Sequence, residues 1–156
     1  MNDIRTDTVT MGTFLLDDLE FGVDLLQQRE VLRMMPVTKM PCAVDYIEGV
    51  ISLRGAIIPI VNLRRRFGMP RKEFGKQTRI LNIEVTDTLV VGLIVDAVGH
   101  VRRIDKSMIE PAPSVVASVD SDYISGVGKM DDGLLIILDV PKILSGDDLT
   151  LLEGMA

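Results

Sequence analysis

Residues 46–67 read Tyr-Ile-Glu-Gly-Val-Ile-Ser-Leu-Arg-Gly-Ala-Ile-Ile-Pro-Ile-Val-Asn-Leu-Arg-Arg-Arg-Phe. Residues 123–144, 77 positions later, read Tyr-Ile-Ser-Gly-Val-Gly-Lys-Met-Asp-Asp-Gly-Leu-Leu-Ile-Ile-Leu-Asp-Val-Pro-Lys-Ile-Leu. Without a gap, Tyr46, Ile47, Gly49, Val50 and Ile60 align with Tyr123, Ile124, Gly126, Val127 and Ile137. Leu53 faces Met130, Ile57 faces Leu134, and Asn62 faces Asp139. Runs of β-branched residues broken by turn residues predict strands. A glycine inside such a run marks a bulge or a sharp barrel corner, which places bends at Gly49 and Gly126. The chain therefore reads as two copies of one small β-unit. Arg54-Gly55 in the first copy becomes Asp131-Asp132 in the second, so the repeat keeps the core and changes what is displayed.

A weaker echo lies outside these stretches. Leu19-x-Phe21-Gly22-Val23-x-Leu25 resembles Leu89-x-Val91-Gly92-Leu93-x-Val95, here at a spacing of 70. Residues 13–16 and 20–25, separated by Asp17-Asp18, predict a hairpin, and residues 1–11 a flexible N-terminus. A short helical turn is expected over 24–31, and an extended piece between Pro36 and Pro41. Gly55-Ala56 and Asp131-Asp132-Gly133 are expected as hairpin turns. Pro59 cannot donate to a ladder and is expected at an edge or bulge. Asn62 and Asp139 are placed to cap short helices, Pro141 being tolerated in the second. Residues 69–77 read as a connection, 79–85 and 89–101 as long strands, 107–122 as a loop, and 147–156 as a terminal helix or tail. Many short strands with Gly and Pro turns predict an all-β fold of small barrels that close on themselves and so remove their edges.

Composition narrows the function. The chain has 156 residues, 47% hydrophobic, with six aromatics and no Trp. Residues 1–78 carry 11 basic and 10 acidic side chains, residues 79–156 carry 6 and 13, and the net charge is −6. This balance opposes a nucleic-acid module, which needs clustered Lys and Arg, and gives no electrostatic reason to bind an anionic membrane. No apolar run approaches the roughly 20 residues of a membrane span. The start lacks the apolar core of a signal peptide, and Cys42 alone makes no internal disulfide. These features predict a soluble cytosolic protein.

Candidate chemistry is sparse. The single histidine, His100, sits in a strand pattern with no nucleophile motif beside it. Cys42 reads as a packing residue, since no paired His accompanies it. No convergent ligand set suggests a metal, no phosphate loop is present, and no cofactor is expected. Met34, Met35 and Met40 read either as an adaptable surface or as gap-filling in an aromatic-poor core. Arg64-Arg65-Arg66 reads as a solvated helix face. Arg54, at the end of an apolar strand, must keep its head in water or meet a partner's acceptor.

Gly49-Val50-Ile51-Ser52-Leu53-Arg54-Gly55, followed by Ile57-Ile58-Pro59-Ile60-Val61-Asn62-Leu63-Arg64, closely resembles the CheW family of chemotaxis coupling proteins. That family favours Gly-Val-x-Asn-Leu-Arg-Gly-x-Ile-x-Pro-Val-x-Asp/Asn-Leu, from which Ser52 departs. Further matches fall at Phe21-Gly22-Val23-Asp24, at 91–96, at Glu110-Pro111-Ala112-Pro113 and at 123–128, so the resemblance covers about residues 12–152. It implies two tandem five-stranded SH3-like β-barrels plus a short C-terminal helix. One subdomain is expected over about 20–78 and the other over about 79–146, with strand 12–18 shared.

The resemblance further implies a non-enzymatic adaptor, recruited in the cytoplasm to receptor arrays at the inner membrane. Its partners would be the cytoplasmic tip of a methyl-accepting chemoreceptor, the regulatory domain of the histidine kinase CheA, and further copies in rings. Motif matching puts Leu26, Gln28, Glu30, Gly49, Val50 and Arg54 near the receptor, and Gly55, Ala56, Ile57 and Pro59 nearer the kinase. The rival reading is a stand-alone small-barrel peptide binder. Polyproline grooves are lined by aromatics, which this chain hardly has.

Overall fold

The computed structural model describes residues 7–41, 44–113, 115–116 and 119–155. It opens with a hairpin, β1 (Thr8–Leu16) and β2 (Leu19–Asp24), followed by β3 (Gln28–Arg33), β4 (Ile47–Leu53), β5 (Ala56–Asn62) and α1 (Leu63–Arg66). A second hairpin, β6 (Arg79–Thr86) and β7 (Leu89–Val95), leads into β8 (Ala97–Val98), β9 (Arg102–Asp105) and β10 (Ile109–Glu110). The short pair β11 (Val115–Val116) and β12 (Val119–Asp120) precedes β13 (Ile124–Met130), β14 (Gly133–Leu138), α2 (Val140–Ile143) and α3 (Gly146–Met155). The fold is all-β with short helices.

The repeat holds at the level of register. Val50 pairs with Pro59 and Val127 with Ile136, and the ladder slips at Gly49 in one hairpin and at Gly126 in the other, where bends were expected. Ile60 of β5 lies parallel to Gly92 of β7, and Ile137 of β14 lies parallel to Gly22 of β2. Pro59 needs no edge strand, because the parallel ladder of β5 begins one residue later, at Ile60. After each hairpin the chain turns into a helix. Asn62 accepts from the Arg65 amide at 3.3 Å and caps α1. Asp139 makes no such side-chain bond, and Pro141 stands in the first turn of α2 instead.

Both sheets close, and by the same device. One sheet runs β3-β6-β7-β5-β4, and Thr38, just beyond β3, exchanges two 2.9 Å hydrogen bonds with Val50 of β4. The segment from Gln28 to Thr38 thus touches both edges. In the other sheet β9 pairs with β1 and β10 pairs with β13, joined by a 3-10 turn at Lys106–Met108. We call the first barrel 1 and the second barrel 2. The division expected between 20–78 and 79–146 does not follow the sheets. Barrel 1 spans Gln28 to Val95, and barrel 2 combines β1 and β2 with strands after Asp96. Barrel 1 takes the β6–β7 hairpin from the second copy of the repeat and β3, β4 and β5 from the first, whereas barrel 2 takes the β1–β2 hairpin from the first copy and β8, β9, β10, β13 and β14 from the second.

Inside barrel 1, Ile51, Ile58, Ile60, Ile80 and Ile94 pack together with Met34 and Met35 against them, the gap-filling alternative for those two methionines. Met11, Ile104, Leu135 and Ile137 fill barrel 2. A larger cluster, with Phe14, Phe21, Leu63, Val91 and Leu152, draws on strands of both barrels and on the helices. Full burial of a side chain such as Phe21 contributes roughly 1.5–3 kcal/mol. The aromatics are not scattered. Phe14, Phe21, Phe67 and Tyr123 stack in succession, centroids 5.4, 5.7 and 5.6 Å apart. Arg66 continues the column, its guanidinium carbon 4.7 Å from the Tyr123 ring and 4.6 Å from that of Tyr46.

Of the arginine triplet only Arg65 is an exposed residue; Arg64 is buried and Arg66 partly so. Arg64, with 10% of its side chain exposed, pairs with Asp17 at 2.8 Å and Asp96 at 2.7 Å and donates to the Pro70 carbonyl at 2.8 Å. Arg65 donates to the Asp45 carbonyl at 2.8 Å, and Arg66 to that of Ile143. Asp17 sits in the β1–β2 turn of barrel 2, so Arg64 fastens one barrel to the other.

Three other expectations are corrected. Strand β1 starts at Thr8, inside the region expected to be flexible, because it pairs with β9 from that residue. The expected helical turn over 24–31 is a tight turn followed by β3, held to β6 by the ladder from Gln28 to Arg33. The expected strand 89–101 ends at Val95 and resumes only briefly at Ala97–Val98, where the chain crosses to β1 of the other barrel.

Candidate docking site at the mouth of barrel 1

The β4–β5 turn sets the site. Arg54 and Gly55 both adopt positive φ, 49° and 83°, a two-residue turn whose twist matches the strands it joins. This turn carries Arg54 toward β3, where its guanidinium donates to the Glu30 carboxylate. Arg29, next to Glu30, meets Glu84 of β6 at 2.8 Å. These pairs are exposed, and such pairs contribute only about 0–1 kcal/mol to stability. Their consequence is a fixed display of charge around a groove of about 580 Å³. Leu53, Ala56, Ile57, Ile58 and Val90 give the groove an apolar lining, and no aromatic is among its lining residues. Ile57 is 46% exposed and carries the apolar wall to the surface.

The ten residues singled out by motif fall into three groups. Glu30, Arg54, Gly55, Ala56 and Ile57 come together on the rim and wall of this groove. Gly49, Val50 and Pro59 are buried, and since Ile51, Ile58 and Ile60 face the barrel 1 core, the paired Val50 and Pro59 face the other side of the sheet. At Gly49, with φ of 148°, a Cβ would collide with the Thr38 carbonyl oxygen at the closing bridge. Leu26 and Gln28 lie outside the groove lining. Leu26 stands 92% exposed on the turn before β3, while the Gln28 carboxamide lies against Gly12 of barrel 2.

Sequence reasoning missed Asn82. The residue is 1% exposed and lines the groove, and its Oδ1 has no hydrogen-bond partner among the described residues. The available signal was a single polar residue within Ile80-Leu81-Asn82-Ile83.

The corresponding end of barrel 2 inverts the charges. There Asp132 on the β13–β14 turn meets Arg102 of β9 at 2.7 Å, and Glu20 meets the same arginine at 3.0 Å. The hydrogen bond from Arg102 holds the Asp132 carboxyl below its ordinary range. Asp18, Leu19, Glu20 and Leu134 line a groove of about 430 Å³ beside that turn.

Elsewhere the expected chemistry resolves into structure. The His100 carbonyl accepts from Thr13 at 2.6 Å. Cys42 lies outside the described residues. Among the described residues no group of three or more His, Cys, Asp or Glu side chains could hold a metal, and no helix is long and apolar enough to cross a membrane.

Two closed barrels sharing a core, with oppositely charged ends, define a double-barrel scaffold built to present surfaces. The chain belongs to the CheW-like domain family, whose model matches residues 10–148. It is 32% identical to the chemotaxis protein CheW of Klebsiella aerogenes over 143 residues, 92% of this chain and 86% of that one. It is 33% identical to the chemotaxis protein CheW of Bacillus subtilis over 134 residues, 86% of this chain and 85% of that one. The crystal structure of the scaffolding protein TtCheW from Thermoanaerobacter tengcongensis superposes with a TM-score of 0.83 at 35% identity, covering 90% of this chain and 96% of the other. The chain is thus a chemotaxis scaffold by family and by fold.

Proposed function

We propose that this protein is a non-enzymatic cytoplasmic adaptor that couples the tip of a methyl-accepting chemoreceptor to the regulatory domain of the histidine kinase CheA. The observation that carries the reading is the mouth of barrel 1, where an Arg54–Glu30 pair frames an exposed apolar wall. In this reading the receptor hairpin lies along the side bearing Leu26, Gln28, Glu30 and Arg54, a helix laid into a groove. The kinase meets the side bearing Gly55, Ala56 and Ile57. Gly49, Val50 and Pro59, all buried, act indirectly, by setting the bulge and the strand that aim Arg54. The charge-inverted end of barrel 2 suits head-to-tail contact with like barrels, and such contacts form rings where they close. Multivalency in an array then reinforces modest pairwise affinities.

An adaptor alters kinase output only through contacts that differ between the kinase's states, so no turnover of its own is required. The test is binding of receptor and kinase fragments by an Arg54→Glu variant. Its melting temperature is expected to stay near that of the parent, because the pair is exposed. Its affinity for the receptor fragment is expected to fall by about tenfold or more, since a reversed charge meets the partner's acceptor. Unchanged binding of both partners by the folded variant would remove Arg54 from the interface.

A further inference from the structure

The hairpins β1–β2 and β6–β7, which echo one another at a spacing of 70, hold equivalent places in the two barrels. Each is closed by a two-residue turn, Asp17-Asp18 in one and Asp87-Thr88 in the other. Each turn stands at a groove. Asp18 and Leu19 line the groove of barrel 2, and Thr88 and Val90 that of barrel 1. Each turn is also gripped by a helix that leaves the opposite barrel. Helix α1 follows β5 of barrel 1, and its Arg64 pairs with Asp17 at 2.8 Å. Helix α3 follows β14 of barrel 2 by way of α2, and its Glu153 accepts from the Thr88 hydroxyl at 2.8 Å.

The two grips differ in strength. Arg64 is buried, meets a second carboxylate, that of Asp96, and donates to the Pro70 carbonyl. The bond between Thr88 and Glu153 is single and exposed. It sits at the end of a seated helix, because Asp148, Leu149, Leu152 and Glu153 share one face of α3. On that face Leu152 is fully buried in the shared core, Leu149 packs against it, and Asp148 accepts from Tyr46. Leu89, next to Thr88, belongs to the same core cluster. The other lip of the barrel 1 groove, the β4–β5 turn, is held by Glu30 through Arg54. A carboxylate thus holds each lip, one from barrel 1 itself and one from the chain leaving barrel 2. Exposed turns with few bonds open at low cost, so one bond there changes how long the lip keeps its shape.

We propose that Glu153 is a positioning residue of the barrel 1 groove: through Thr88 the C-terminal helix latches the β6–β7 lip, so the chain leaving barrel 2 sets the shape of the docking site in barrel 1. The inference rests on the adaptor reading above only for the identity of what docks. By linkage the effect is reciprocal, and a partner that favours the latched lip also holds α3 in place.

The test uses the full chain carrying Glu153→Ala or Glu153→Gln, each alone and together with Thr88→Val. Melting temperature, amide hydrogen exchange over residues 86–90, and the Kd for a receptor-tip fragment and for a CheA regulatory-domain fragment are measured. Whichever fragment Arg54→Glu weakens reports on the groove. Glu153→Ala is expected to melt near the parent temperature, since the bond is exposed. Its exchange over 86–90 is expected to be about threefold faster and its affinity for the reporting fragment about threefold weaker, as for one exposed hydrogen bond lost. Glu153→Gln, whose carboxamide oxygen still accepts from Thr88, is expected to match the parent. With Thr88→Val present, Glu153→Ala is expected to change nothing further, which separates positioning through Thr88 from direct contact with the partner. Unchanged exchange at the lip in Glu153→Ala, or unchanged affinity for the reporting fragment, overturns the inference and leaves the adaptor reading standing. A loss in Glu153→Gln as large as in Glu153→Ala overturns it by tracing the effect to charge. Faster exchange throughout the chain with a lower melting temperature overturns it by making Glu153 a residue of global stability. A parent that binds neither fragment, or binds both regardless of Arg54, refutes the groove's part in the adaptor reading, and exchange at the lip alone then decides the latch.

Discussion

Tyr46 and Tyr123, 77 residues apart and equivalent in the repeat, share one guanidinium, that of Arg66. The same arginine donates to the Ile143 carbonyl, and Tyr46 donates its hydroxyl to Asp148 of α3. Burial first, and this bond second, push the Tyr46 phenol above its ordinary range. The column therefore joins both copies of the repeat to the C-terminal helix. Arg66→Ala removes two cation–π contacts and a charged hydrogen bond, an expected loss of about 2–3 kcal/mol. For a chain of this size that is a fall of roughly 5–10 °C in melting temperature. Arg66→Lys is expected to recover little, because an ammonium cannot lie flat against a ring and also donate in a fixed fork. Calorimetry of the two variants checks this.

The Arg64 clamp predicts acid sensitivity. The hydrogen bond from Arg64 holds the Asp17 carboxyl below its reference value of 3.8. A carboxylate with a depressed folded value contributes stability that is fully present above the unfolded value and lost as pH falls through the folded one. Stability is thus expected to be flat with respect to this group near neutrality and to decline below about pH 4. Asp17→Asn should flatten that acid limb in melting curves recorded between neutrality and pH 3. A limb of unchanged steepness would mean that Asp17 contributes nothing to it.

Two glycines should respond very differently to alanine. Gly49 has positive φ and no room for a Cβ beside the Thr38 carbonyl, so Gly49→Ala must break the bridge that closes barrel 1. A loss above about 2 kcal/mol is expected. Gly55 also has positive φ but faces open space, and Gly55→Ala should cost only about 1 kcal/mol, the conformational penalty alone. Denaturation midpoints of the pair measure the difference.

Much of the fold was legible because its defining features are local. Glycine bulges, hairpin turns and the Asn62 cap are written in neighbouring residues, and a gapless repeat transmits the bulge and the turn, though not the cap, to the second copy. The exchange of hairpins was not legible. The echo at spacing 70 announces that β2 and β7 are alike, but similarity does not say which hairpin docks on which set of strands. Strand β3 escaped notice because only Leu32 of its six residues packs against the barrel 1 core; Gln28 lies against Gly12 and Glu30 meets Arg54, so no apolar alternation marks it. The arginine triplet misled for a related reason. Asp17 and Asp96, which bury the charge of Arg64, lie 47 and 32 residues away. At the site, Arg54 and Ile57 stood out as a cation and an apolar residue at a turn, whereas Asn82 is set apart by a missing partner, a property of packing alone.

The most direct measurement is co-sedimentation of a CheA kinase with assembled receptor fragments, with and without this protein, followed by phosphorylation of the kinase in the pellet. The parent protein is expected to bring kinase into the pellet and change its phosphorylation, while consuming nothing itself, and Arg54→Glu is expected to lose both effects. Equal kinase in the pellet with and without the protein would contradict the adaptor reading.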